Sequence, residues 1–169
     1  LIITHPHTDH YGGCLDVLAR FKIGRIFVTG FVEKPNSLLN NWHEAMRQEH
    51  LIDGAIIEIL SAPQTVGVGS TTLNFLYPDH DLGVEPRIPG EKTIDTNDSS
   101  IVLKVSYGTQ DILLTGDMEA PLEHYLVTKA GDVLEAEILK AGHHGSRSSS
   151  SEELLSVVKP HAVTISTGQ

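Results

Sequence analysis

A single cysteine, Cys14, among 169 residues leaves no partner for a disulfide within the segment. Packing, hydrogen bonding or bound ions must hold the fold together, and the redox compartment is left open. Basic residues are scarce too, with 12 Lys+Arg against 22 Asp+Glu and a formal net charge of −10. No overall positive field exists to gather phosphate backbones, which excludes non-specific nucleic-acid binding by bulk charge. Aromatics make up only 5%. No run approaches the roughly 20 apolar residues that cross a bilayer, so no membrane contact is expected from this segment. Oligomeric state leaves no trace in the sequence.

What is present is ordinary globular composition, with 40% hydrophobic and 20% charged residues. A body of this size buries roughly 70% of the surface of its unfolded chain, enough for one sizeable core. We therefore expect residues 1–169 to form a single α/β domain. Leu1-Ile-Ile-Thr4 reads as a buried strand already under way, and Ala162 to Gly168 as a strand near the other end, so a fragment of a longer protein is expected.

Strand and helix patterns alternate between these ends. Helices are predicted over Tyr11 to Phe21, Asn36 to His50, Glu119 to Lys129 and from Ser150 to Pro160. Strands are predicted over Arg25 to Thr29, Ala55 to Leu60 and Glu135 to Lys140. Two hairpins are expected, Thr65 to Tyr77 turning at Gly69 and Ser100 to Leu114 turning at Gly108. Pro78 to Asp98 is a long loop, and such loops are commonly functional, which places it near a cleft.

The densest chemical signal is Thr4-His5-Pro6-His7-Thr8-Asp9-His10-Tyr11-Gly12-Gly13. Four ligand-type side chains fall in a few positions where a strand gives way to a helix. In an extended chain His5 and His7 project to one side, which suits two imidazoles on one ion, while a turn lets Asp9 and His10 face a second. Asp117 stands at the carboxyl end of the apolar strand Ile112-Leu-Leu-Thr-Gly116, although alone it reads equally well as a helix N-cap. His143 and His144 also follow a strand, in Ala141-Gly-His-His-Gly-Ser146. Three candidate sets at three strand exits support one another.

These residues together resemble the metallo-β-lactamase superfamily, and within it the ComEC-like branch of DNA-uptake competence proteins. The His-x-His-x-Asp-His motif carries the first resemblance; Asn97-Asp-Ser-Ser-Ile-Val102 and Leu139-Lys-Ala-Gly-His-His-Gly-Ser146 carry the second. The resemblance spans nearly the whole chain. It implies an αββα sandwich lacking its first strands and last segment, and two divalent metal ions, Zn²⁺ or alternatively Mn²⁺. By that resemblance His5 and His7 hold one ion, Asp9 and His10 the other, Asp117 bridges both, and one of His143 and His144 completes the second site. Many members add a first-site His from the loop before the Asp117 strand; here that stretch reads Asp95-Thr-Asn-Asp98, leaving His80 as the remaining substitute.

The expected function is metal-dependent hydrolysis with a phosphodiester substrate, a single-stranded DNA or a nucleotide. Asp9 would orient or deprotonate water, Asp117 would act from between the ions, and Ser146, Ser148 and Lys140 would receive the anionic substrate. Hydrolysis of an amide, ester or thioester is the rival within enzymes. A metal-binding domain without catalysis is the rival outside them.

Overall fold

The computed structural model describes residues 1–167. Gly168, the end of the final predicted strand, lies outside the described residues. Two sheets stand between two layers of helix. The first sheet pairs β1 (Arg25–Thr29) with β2 (Ile56–Leu60) in parallel. Leu1 to Thr4 adds itself beside β1: the Ile3 amide donates to the Phe27 carbonyl at 3.0 Å, and the Phe27 amide to the Leu1 carbonyl at 2.9 Å. The second sheet runs β3 (Gln64–Val68), β4 (Thr71–Tyr77), β5 (Val102–Tyr107), β6 (Gln110–Leu114), β7 (Ile138–Lys140) and β8 (Ala162–Thr164) in chain order. Its strands pair antiparallel as far as β6 and parallel thereafter.

Three apolar clusters fill the gaps between layers. Ile26, Leu39, Trp42 and Met46 join the first sheet to the helices before it. Phe27, Leu60, Phe75, Ile101 and Leu103 lie between the sheets, with the Phe27 and Phe75 rings stacked at 4.8 Å. Leu113, Leu122, Leu126, Leu139 and Leu154 join the second sheet to the last two helices. Each such side chain contributes about 1.5–3 kcal/mol through burial. This is the expected αββα layering.

Local chemistry sets the helix limits. The α3 helix (Ser37–Gln48) starts where the Asn36 side chain accepts the Leu39 amide at 2.9 Å, and it buries Leu39, Trp42 and Met46 on one face. The helix predicted from Tyr11 is instead two pieces, α1 (Thr8–Tyr11) and α2 (Cys14–Arg20). They part at Gly12 and Gly13, where a Cβ on Gly12 would sit 2.7 Å from the Thr8 carbonyl oxygen. The α4 helix (Ala120–Ala130) begins after Glu119, and α5 (Glu152–Val158) begins after Ser151 rather than Ser150, with the Ser151 hydroxyl accepting the Leu154 amide. Of Glu135 to Lys140, only the second half is strand, β7 (Ile138–Lys140), which follows a 3₁₀ turn over Gly131–Leu134. No helix among the described residues is long and apolar enough to cross a membrane.

The long loop is anchored away from the motif at its start. The Asp79 carboxylate accepts from Tyr125 at 2.6 Å and pairs with Lys129 on α4. Only the loop's end, Thr96 to Ser100, reaches the residues singled out above.

Candidate metal centre

Two backbone ties bring the strand exits together. The Ile101 amide donates to the Thr4 carbonyl at 2.8 Å, so the first motif leaves its strand beside the start of β5. The Asp117 amide donates to Ser100 Oγ at 2.9 Å, which sets the end of β6 against the same point. Gly116 lies between with φ +56, and a Cβ there would come within 2.6 Å of Ser100 Oγ. Only glycine permits that approach.

Around this junction the ligand-type side chains converge. Asp117, 2% exposed, has Oδ2 at 3.1 Å from His10 Nε2, 3.3 Å from His144 Nε2 and 3.7 Å from His5 Nε2. Asp9 closes the outer side with Oδ2 at 3.2 Å from His144 Nε2. His5 Nε2 and His7 Nδ1 face each other at 3.1 Å, and His10 Nε2 and His144 Nε2 at 3.2 Å. The ligand atoms of His5, His10 and Asp117, and those of Asp9, His10 and His144, each fall within 4.8 Å of one another. His10 and Asp117 stand at the middle of the group.

Histidine tautomers follow from the outer contacts. The His144 Nδ1–H donates to the Ser166 carbonyl at 2.7 Å; a carbonyl only accepts, so in the neutral ring Nε2 carries a bare lone pair facing two carboxylates. His5 Nδ1 lies 3.1 Å from Ser100 Oγ and 3.0 Å from Thr4 Oγ1. Donation from that Nδ1 to the hydroxyl oxygens turns the Nε2 lone pair inward. Burial, and then the charge of His10, push the His5 pKa down to about 3, so this ring stays neutral. Burial alone would raise the Asp117 pKa, but the hydrogen bond and charge of His10, with His5 and His144, hold it at about 2.

A metal fits this arrangement better than protons do. Asp117 Oδ1 is buried with no hydrogen-bond partner, an expensive state for a carboxylate oxygen. The bare His144 Nε2 faces carboxylate oxygens of Asp9 and Asp117 at 3.2 and 3.3 Å, lone pair against lone pair, and a cation between them removes the conflict. The donors are nitrogen and carboxylate oxygen without thiolate, a set that suits divalent first-row metals.

The adjacent histidines part ways. Both take left-handed backbone, with φ 41 at His143 and φ 53 at His144, a conformation costly for residues other than glycine. That turn sends His144 into the cluster and His143 out of it. His143 Nδ1–H donates to Glu119 Oε1 at 2.6 Å, and Ser148 Oγ donates to the same carboxylate at 2.7 Å. Ser146 Oγ stands 2.9 Å from Ser148 Oγ. On the loop next to His144, Ser148 is exposed and Ser146 half-buried.

Lys140, expected to help receive the substrate, is engaged by backbone. Its ammonium donates to the carbonyls of Gly116 at 2.7 Å and Ala141 at 3.0 Å, and it stands 3.9 Å from Asp117 Oδ1. His80 is also engaged elsewhere, with Nδ1 on Asp79 at 2.7 Å and Nε2 near the carbonyls of Glu85 and Arg87. Sequence reasoning missed Ser100, Glu119 and Ser166. Ser100 falls inside the Asn97 to Val102 motif, which was the available signal for it.

Comparison with known proteins places this geometry. The profile of the metallo-beta-lactamase superfamily matches residues 1–169. ComE operon protein 3 of Bacillus subtilis (strain 168) is 30% identical over 170 residues, covering 100% of this chain and 20% of that protein. Competence protein ComA of Neisseria gonorrhoeae is 43% identical over 77 residues, 46% of this chain and 11% of that protein. The chain thus spans a fifth or less of the curated relatives named here. Among solved structures, CmlA, a diiron beta-hydroxylase from Streptomyces venezuelae, superposes with a TM-score of 0.55 at 15% identity, over 96% of this chain and 34% of that one, a likeness of fold. Matched along its whole length by the family profile, the chain belongs to the metallo-β-lactamase superfamily and is similar to its competence-protein members.

Proposed function

We propose that this chain is a hydrolase domain that cleaves phosphodiester bonds, with a single-stranded DNA or a nucleotide as substrate and two divalent ions, Zn²⁺ or Mn²⁺, as cofactor. The observation that carries the reading is Asp117, a buried carboxylate with one oxygen among three imidazoles and the other without a hydrogen-bond partner. His5, His7 and Asp117 would hold one ion, and Asp9, His10, His144 and Asp117 the other. The chemistry such a pair supplies when bound is Lewis acidity, which activates water and neutralises phosphoryl charge.

The chain's own residues do the rest. Asp9, 65% exposed in its side chain, stands at the open edge of the cluster, where it can orient water or accept its proton. Asp117 stays ionised at any working pH because its pKa is held low. Ser148, exposed, and Ser146, half-buried beside it, follow His144 on the same loop, where they can meet non-bridging phosphoryl oxygens. Preference for phosphodiesters over amides, esters or thioesters is supported by relatives named for competence and, in Haemophilus influenzae, "Recombination protein 2", 42% identical over 73 residues.

The test is hydrolysis of bis-p-nitrophenyl phosphate, a p-nitrophenyl ester and a β-lactam by one sample supplied with zinc or manganese. Turnover of the diester alone supports the reading. Turnover of the ester or lactam without the diester replaces it, and bound metal without turnover of any supports a non-catalytic domain.

A further inference from the structure

We propose that a hollow beside the ligand cluster receives a nucleobase of the substrate, seating the scissile diester of a nucleotide over the metal centre. This rests on the phosphodiesterase reading and adds the group that flanks the bond. The hollow lies between Pro6, the exit of β1 at Val28 to Phe31, and the face of α3 that carries Trp42, His43 and Met46. Its inner part, against His5 and Trp42, holds about 60 Å³, and the adjoining outer part, under Gly30, Val32 and Glu33, about 280 Å³.

Position is the first argument. His5, 1% exposed, belongs both to the cluster and to the wall of the hollow, so the partition between them is His5 and Pro6. The hollow sits beyond the carboxyl ends of parallel strands, since Leu1 to Thr4 pairs parallel with β1, and β1 with β2. Ligands of open α/β sheets bind at that end.

Lining chemistry is the second argument. Val28, Phe31, Trp42 and Met46 make walls that favour a flat, weakly hydrated group over a phosphate or a sugar. Thr29 Oγ1 already accepts the Phe31 amide at 2.9 Å. The exposed His43 ring makes no hydrogen bond among the described residues, leaving it free for the polar edge of a base. Stacking on aromatic side chains accepts any base, because every base has a π-face.

Trp42 is the chain's one tryptophan; its core side stacks on Tyr11 and it stands in the wall of the hollow, so its emission responds to an occupant through that wall. Titration of the whole protein with adenosine monophosphate should quench that emission saturably, and ribose 5-phosphate should not. The midpoint should rise about tenfold in Phe31→Ala and in His43→Ala, the second a change at an exposed position that spares the core. Emission unmoved by the nucleotide, or moved equally by ribose 5-phosphate, overturns the proposal. Quenching by phenyl acetate in place of the nucleotide overturns it in favour of an acyl subsite. Cleavage of bis-p-nitrophenyl phosphate alongside any of those failures leaves the phosphodiesterase reading standing without the subsite.

Discussion

His144 Nε2 lies 3.3 Å from Asp117 Oδ2, held there by donation of its other ring nitrogen to the Ser166 carbonyl. The neighbouring His143 is held instead by Glu119. His144→Ala should therefore lower the bound metal by about one ion per chain, and His143→Ala should leave the metal content unchanged. Elemental analysis of both purified variants checks this; equal losses would contradict it.

Ser100 is the buried hinge between His5 and Asp117. Its oxygen meets the His5 ring and accepts the Asp117 amide. Removing such an outer partner weakens metal binding about 10–100-fold. Ser100→Ala should show that loss by calorimetric titration with zinc.

Lys140 ties two strand exits through the carbonyls of Gly116 and Ala141. Lys140→Met leaves those carbonyls without their donor and should cost about 1–3 kcal/mol in urea unfolding. KM for bis-p-nitrophenyl phosphate should stay near the wild-type value, because the ammonium is engaged by two backbone carbonyls. A large rise in KM with unchanged stability would restore a binding role.

Asp98 supplies a pH dependence. Burial, joined by the charges of Asp95, Glu119 and Glu123, raises its pKa to about 7, despite donation from the Glu119 amide. An unfolded Asp titrates near about 3.9, so between about pH 4 and 7 the folded chain binds more protons. Its contribution to stability is full below that window and lost as pH rises through about 7. Thermal melts from pH 5 to 8 should show a decline that Asp98→Asn flattens.

The layered fold and the cluster around His5, His7, Asp9 and His10 were legible because the ligands crowd one strand exit and the apolar periods alternate cleanly. The choice between His143 and His144 was not, because it depends on two consecutive left-handed residues, which no side-chain pattern announces. Ser100 was hidden for a related reason: it read as the first residue of a hairpin strand, and only the Ile101 to Thr4 tie sets it against a histidine from the other end of the chain. The break of the first helix at Gly12 and Gly13 was not read from the sequence, because the apolar spacing from Tyr11 to Phe21 runs across it.

The most direct test of a two-ion centre joined by Asp117 is metal content per chain in the wild type and in Asp117→Ala. We predict about two ions in the wild type, with both weakened in the variant. A wild type that holds no ion while demonstrably folded, or a variant that loses one ion and keeps its activity, would contradict it.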